Sequence, residues 1–142
     1  MAHTNPSDDQ LRQLLSSAST IAMVGASSNP DRPAYGIMRK LQSVGYRVIP
    51  VNPRETEVLG ERAYASLADV PVPVDIVDVF RRAEDAPAIA DEAAAIGAKA
   101  LWLQTGIVSE EAAGRAERAG LLAVMDACIG ATHTFLRIPP KK

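Results

Sequence analysis

Five short runs in which nearly every position is apolar punctuate the chain, at residues 20–25, 46–51, 75–80, 99–103 and 121–125. Each is bounded by glycine, proline or a polar cluster and is too short for a helix, the pattern of a strand buried on both faces. Between these runs the apolar positions spread to helical spacing. Leu11, Leu14 and Leu15 form such a face over residues 8–18, with Ser7 as N-cap and Gln10 at the capping-box position. Residues 34–44 predict a second helix, with Pro33 at or just before its first position and Gly45 closing it. An alanine-rich helix over 84–96 tolerates Pro87 only in its first turn and ends at Gly97. Ser109 opens a last helix that reaches Ala119 and stops at Gly120. The rest reads as connection. Residues 54–63 are a polar surface loop, 66–69 one helical turn at most, and 127–142, like 1–6, a tail without a period.

Strands alternating with helices of this length predict right-handed βαβ units. The fold class is therefore α/β: a doubly wound, five-stranded parallel sheet with helices on both faces. The expected strand order is 3-2-1-4-5, with the switch point between the first and fourth strands. A chain of 142 residues fits a single domain, with a core over about 7–135 and frayed ends. At 47% apolar and 23% charged, the composition is that of a globular protein. The net charge of −2 gives no field to draw the chain to nucleic acid or an anionic membrane. One cysteine, Cys128, excludes an internal disulfide and a cysteine-rich zinc site. The polar N-terminus and the lack of a long apolar run predict a cytoplasmic protein with no membrane partner.

In such a fold, chemistry sits in the loops after the carboxyl ends of the strands. The first is Gly25-Ala26-Ser27-Ser28-Asn29-Pro30-Asp31-Arg32, running into Tyr35 and Gly36. A glycine at the strand end permits a tight turn, and free amides with the next helix's N-terminus favour phosphate oxygens. Ser27 and Ser28 add hydroxyls and Arg32 a fixed charge. An ordinary glycine turn would look the same. The segment is neither G-x-G-x-x-G nor a P-loop. After the second strand, where a dinucleotide site carries an acidic residue for the ribose hydroxyls, stand Asn52, Pro53 and Arg54. An arginine in place of a carboxylate suits a phosphorylated ribose, as in NADP or coenzyme A, or is simply solvated. Phe80 and Arg81 follow the third strand and can wall an adenine, or be a core ring beside a solvated cation. Gln104 and Gly106 follow the fourth and can meet an extended ligand arm; Trp102 before them reads as core. No catalytic set is assembled. His3 and His133 fall in the tails, and Asp126 and Cys128 have no nucleophile–base partner in sequence. No metal-ligand spacing occurs.

Five strings in order resemble the CoA-binding domain family: residues 21–36, 45–53, 74–82, 97–106 and 124–128. The resemblance is to its small stand-alone bacterial members, similar to the nucleotide-binding domain of succinyl-CoA synthetase alpha subunits. It implies a Rossmann-like fold that binds coenzyme A or acyl-CoA. It implies that Gly25, Ser27 and the 32–36 segment, with Arg32, Tyr35 and Gly36, meet the diphosphate, and that Ala26 and Ser28 belong to the same cofactor-binding loop. Asn52, Pro53 and Arg54 would meet the ribose side, Phe80 and Arg81 the adenosine, and Gln104 and Gly106 the pantetheine. Ala127 and Ile129 flank the cysteine where the family carries other residues, so no role is assigned to Asp126, Cys128 or His133. The expectation is a non-catalytic CoA-binding module, since 142 residues leave no room for the further domains of a CoA ligase. Two alternatives stand beside it: a small enzyme using NADP or another nucleotide, and a regulatory subunit that senses acyl-CoA. No protein partner is indicated.

Overall fold

In the computed structural model, which describes residues 3–141, strand β1 (Thr20–Val24) lies between β2 (Arg47–Val51) and β5 (Ile76–Val79). Beyond β5 follow β6 (Ala100–Leu103) and β7 (Leu122–Val124), all parallel, giving the order β2-β1-β5-β6-β7. In register, Met23 stands between Pro50 and Asp78, and Asp78 between Met23 and Trp102. Side chains alternate between the two faces as the strand period demands. Ile21, Met23, Ile76 and Trp102 pack under α1 (Asp8–Ser17), α2 (Pro33–Ser43) and α5 (Ile129–Phe135). Ala22, Val24, Val77 and Leu101 pack under α3 (Ala86–Ala95) and α4 (Glu110–Arg118), which meet the sheet through buried alanines. The doubly wound α/β class is as expected. So are the Ser7–Gln10 capping box, Pro87 in the first turn of α3 and Ser109 as the N-cap of α4.

The strand order differs from 3-2-1-4-5. The third main strand, β5, pairs with β1 rather than with β2, and Pro50 supplies the physical reason. Its carbonyl points away from β1 and accepts the Tyr64 N–H at 3.0 Å. A further strand on that side would need a donor that proline lacks, so β2 is confined to an edge. Among the described residues, only Tyr64 is bridged there, to Val51. Residues 52–75 hold no crossover α-helix. They form a hairpin, β3 (Glu57–Val58) and β4 (Glu61–Arg62), and a 3-10 turn at Leu67–Asp69. The hairpin replaces the expected loop, and its turn residues Leu59 and Gly60 both have left-handed φ, 50° and 83°.

The ends also differ. The stretch expected to be an aperiodic tail contains α5, and Leu136 and Ile138 beyond it are buried. Lys141 donates its N–H to Val44 O at 2.8 Å and its ammonium to Ser16 O at 2.7 Å. Asn5 exchanges two bonds of 2.9 Å with the Met125 backbone. Apolar burial and these bonds hold both segments where fraying was expected; Met1, Ala2 and Lys142 lie outside the described residues.

The revised order moves the switch point. The chain leaves β1 toward α2 on one face and β5 toward α3 on the other, so the crevice opens between the carboxyl ends of β1 and β5.

Candidate functional site

Gly25 closes β1 at that crevice with φ 90°. A Cβ there would lie 2.4 Å from the carbonyl oxygen of Phe80, which follows β5. Only glycine lets the two chain segments approach so closely. The loop beyond is shaped by its own side chains. Ser27 Oγ accepts the Asn29 N–H at 3.0 Å, and Asn29 Oδ1 accepts the Asp31 N–H at 2.9 Å. The amides of Ala26 and Ser27 make no hydrogen bond to an acceptor among the described residues. Arg32 caps α2 without a side-chain bond, so the positive end of this eleven-residue helix also stays open. The Ser28 amide is already taken: it donates to Glu55 Oε2 at 2.9 Å.

Asn52 joins the first and second loops. Its Nδ2 donates to Ala26 O at 2.9 Å and its Oδ1 accepts the Arg54 N–H at 2.9 Å, so its carboxamide is spent on scaffolding. Two adjoining cavities open here and share Pro33, Asn52, Arg54, Phe80 and Arg81. The smaller, about 380 Å³, lies over Gly25, Ser27 and Arg32. The larger, about 890 Å³, runs on to Ile37, Gln104, Ile107 and Cys128. Arg32 and Arg54 have no acidic partner within 4.0 Å among the described residues. Arg81 and Arg82 share the half-buried Asp85, at 3.6 and 3.7 Å, and Arg82 also pairs with Glu84 at 3.0 Å; both guanidiniums remain largely exposed, which keeps these pairs weak. Four arginines, Arg32, Arg54, Arg81 and Arg82, thus line the two adjoining cavities.

Behind Gln104, at the far end, lies a buried acid that does not itself line either cavity. Asp78 is fully buried, and its Oδ1 accepts Gln104 Nε2 at 2.5 Å while Oδ2 has no partner. Burial pushes its carboxyl up to about 7, and the Gln104 bond only partly opposes this. Gln104 is 4% exposed. Trp102 is core, as expected, with Nε1 donating to Ala127 O at 2.9 Å. Asp126, at φ 56°, accepts the Gly106 N–H at 2.7 Å. His133 does not line the cleft. It packs edge-on against Tyr46, at 5.8 Å between ring centroids. Burial, then the Lys40 and Lys141 charges, hold its imidazole below the usual histidine range.

Of the residues singled out in the sequence, Gly25, Ser27, Arg32, Asn52, Pro53, Arg54, Phe80, Arg81 and Gln104 line one or both cavities. Ala26 is buried beneath the loop, Ser28 faces Glu55, and Gly106 gives its amide to Asp126. Tyr35 and Gly36, on α2, line neither. Sequence reasoning missed Glu55, Asp78, Ile37 and Ile107, and assigned Cys128 no role. Glu55 stands one residue beyond the motif where the absence of a carboxylate was noted. An Asp inside an otherwise apolar strand was the available signal for Asp78.

The fold and this cleft define an α/β domain with a crevice at its switch point. The family model described as CoA binding domain matches residues 19–134, and the chain belongs to that family. It is 40% identical over 133 residues to YneT of Bacillus subtilis, covering 94% of this chain and 98% of that protein. A crystal structure of Prb, the PH1109 protein redesigned for binding, superposes with a TM-score of 0.91 at 36% identity, covering 97% and 96% of the two chains. The chain is also homologous to the CoA-binding domain of ADP-forming acetate–CoA ligases. With ligase I of Archaeoglobus fulgidus it shares 27% identity over 139 residues, which span 86% of this chain and 20% of the ligase. Among the described residues, no helix is long and apolar enough to cross a membrane.

Proposed function

We propose that this protein binds coenzyme A or acyl-CoA in the cleft, reversibly and without chemistry of its own, in the cytoplasm. The observation that carries this reading is the set of unspent groups around the smaller cavity. Arg32 and Arg54 lack acidic partners, and the Ala26 and Ser27 amides lack acceptors, among the described residues. Coenzyme A carries a diphosphate and a ribose 3′-phosphate, and these groups fit those donors. The larger cavity leads away past Phe80, Ile37 and Ile107 to Gln104, an apolar path with polar groups at its end that suits a pantetheine arm. The family membership supports the same ligand.

The NADP-using alternative draws on the same arginines, because a 2′-phosphate also suits Arg54. Calorimetric titration with CoA, acetyl-CoA, NADP and NAD decides between them. CoA binding with NAD weaker by about tenfold or more, a difference of about 1.4 kcal/mol, is the expected result. Equal or tighter binding of either dinucleotide would overturn the CoA reading. A ligand at 100 times its dissociation constant adds about 2.7 kcal/mol to stability, so thermal shift gives an independent check.

A further inference from the structure

Asp78 and Gln104 form a hydrogen-bonded pair with one end sealed in the core and the other open to the cleft. Asp78, on β5, faces the same side of the sheet as its register partners Met23 and Trp102, and is fully buried. Its Oδ1 lies 2.5 Å from Gln104 Nε2, and Oδ2 has no partner. Gln104 lines the larger cavity. Its amide oxygen takes no hydrogen bond from the described residues, yet it is not one of the sealed orphan atoms. The end of the carboxamide turned away from Asp78 is therefore the end a ligand meets. Burial and the Gln104 bond are the influences on the acid, and no charged side chain among the described residues adds to them. Over this face α1, α2 and α5 turn Leu15, Met38 and Ile129 inward. Of their ionisable groups, Lys40 bonds Thr134, His133 packs on Tyr46, Cys128 lines the cavity, and the rest reach solvent. The charged residues of the cavity, Arg54, Arg81, Arg82 and Asp85, make no hydrogen bond or ion pair with either member.

The two ionisation states of Asp78 ask for opposite ends of the amide. A carboxylate only accepts, so it takes the Nε2 N–H and leaves Oε1 toward the cavity. A carboxylic acid has one O–H to place. On Oδ2 that proton finds no acceptor. On Oδ1 it finds one when a half-turn of the carboxamide brings Oε1 round, and the Nε2 N–H group then faces the cavity. The carboxamide has nearly the same shape either way, and 2.5 Å lies within the range of O–H···O bonds and below that of N–H···O. We propose that Asp78 is a positioning residue for ligand selection: protonated, it turns the Gln104 N–H into the cleft to meet a ligand carbonyl, the thioester of an acyl-CoA, and ionised, it withdraws that donor. This rests on the CoA-binding reading. The free protein holds the acid form up to about pH 7, so both states lie within reach of ordinary conditions. Acyl-CoA binds best to the protonated protein, and its binding takes up a proton wherever Asp78 would otherwise be ionised.

The test compares acetyl-CoA with S-ethyl-CoA, a thioether that lacks the carbonyl and carries the same phosphates. Both are titrated calorimetrically into the full chain at about pH 6 and about pH 8, and at about pH 7.5 in buffers of different ionisation enthalpy, which counts the protons taken up. At the lower pH acetyl-CoA is expected to bind roughly 3–10-fold tighter than the thioether, the weight of one hydrogen bond. It is expected to lose that lead at the higher pH, and to take up more protons than the thioether between them. Asp78→Asn has a donor and an acceptor but no proton to lose, so its ratio of affinities is expected not to change with pH. A parent ratio that is the same at both pH values, or equal proton uptake by the two ligands, overturns the positioning role and leaves the binding proposal standing. A pH-dependent ratio that survives in Asp78→Asn does the same. The parent's own ratio and proton count decide the matter if that variant fails to fold. A protein that binds neither ligand nor CoA at either pH overturns the binding proposal, and this one with it.

Discussion

Glu55 Oε2 accepts the backbone N–H of Ser28 at 2.9 Å. A side-chain carboxylate thus occupies a donor of the glycine loop, where a phosphate would otherwise find it. Glu55 also lines the smaller cavity together with Arg32 and Arg54. A phosphate entering that cavity meets both a filled amide and a like charge.

Replacing Glu55 therefore tightens binding. Glu55→Ala, which removes both the acceptor and the charge, is expected to raise CoA affinity by roughly 3–10-fold, the weight of one hydrogen bond of about 0.7–1.4 kcal/mol. Titration at low and high salt checks it, because the charge component is screened. Unchanged or weakened affinity would show that the loop needs Glu55 for its shape.

Gly25 is the position where the fold and the site depend on the same atom. Gly25→Ala places a methyl 2.4 Å from the Phe80 carbonyl oxygen and forces a side chain on to φ 90°. Left-handed strain costs on the order of 1–3 kcal/mol, and the backbone collision adds to it. Urea unfolding is expected to show a loss of at least that size, and titration a loss of CoA binding. A variant as stable as the parent would mean that the β1–β5 contact yields more easily than its geometry implies.

Arg54 tests the assignment of the phosphates. Arg54→Ala is expected to weaken CoA more than dephospho-CoA, since the two ligands differ only in the ribose 3′-phosphate. A charge-assisted contact is worth about 1.5–3 kcal/mol, and the exposure of Arg54 places this one at or below the low end. Equal losses for both ligands would make Arg54 a residue of loop structure, through the bond from its N–H to Asn52.

The sequence carried most of this architecture because it is local. Periodicity located the strands of the main sheet and α1–α4, and the glycine loop, Asn52–Arg54, Phe80–Arg81 and Gln104 were read from strand ends alone. Strand order is a property of pairing, which no local pattern encodes, although Pro50 marked β2 as an edge. The hairpin at 57–62 escaped because its strands are two residues each and largely polar. Cys128 reached the cleft only through the docking of α5, whose seven residues are too few to show a period. Asp78 hid inside an apolar run, where its neighbours in space come from β1 and β6.

That buried aspartate gives the protein a pH dependence of definite sign. The folded state keeps the Asp78 proton up to about pH 7, whereas an unfolded chain releases an aspartate proton near ~3.9. Between those values the native state binds more protons than the unfolded state, so stability falls as pH rises through the window. The contribution is fully present below about pH 4 and lost above about pH 7. Asp75 works in the opposite sense. Burial raises its carboxyl, but the amides of Ser19 and Thr20 and the charge of Lys99 outweigh that and hold it below the usual range, so its contribution is lost on acidification. Comparing the parent with Asp78→Asn cancels Asp75 and every other common group. Asparagine cannot ionise, and its oxygen can still accept from Gln104. The variant is expected to gain on the parent as pH rises from 4.5 to 8, by at most on the order of 4 kcal/mol. The extra N–H brought by asparagine lowers the variant's stability by about 1–3 kcal/mol at both ends of the range, because the site offers it no acceptor. The slope with pH, and not the absolute stability, is therefore the diagnostic quantity. Urea unfolding at several pH values measures it. Parallel curves for the two proteins would mean that Asp78 ionises as freely in the folded chain as in the unfolded one, through water reaching it past Gln104.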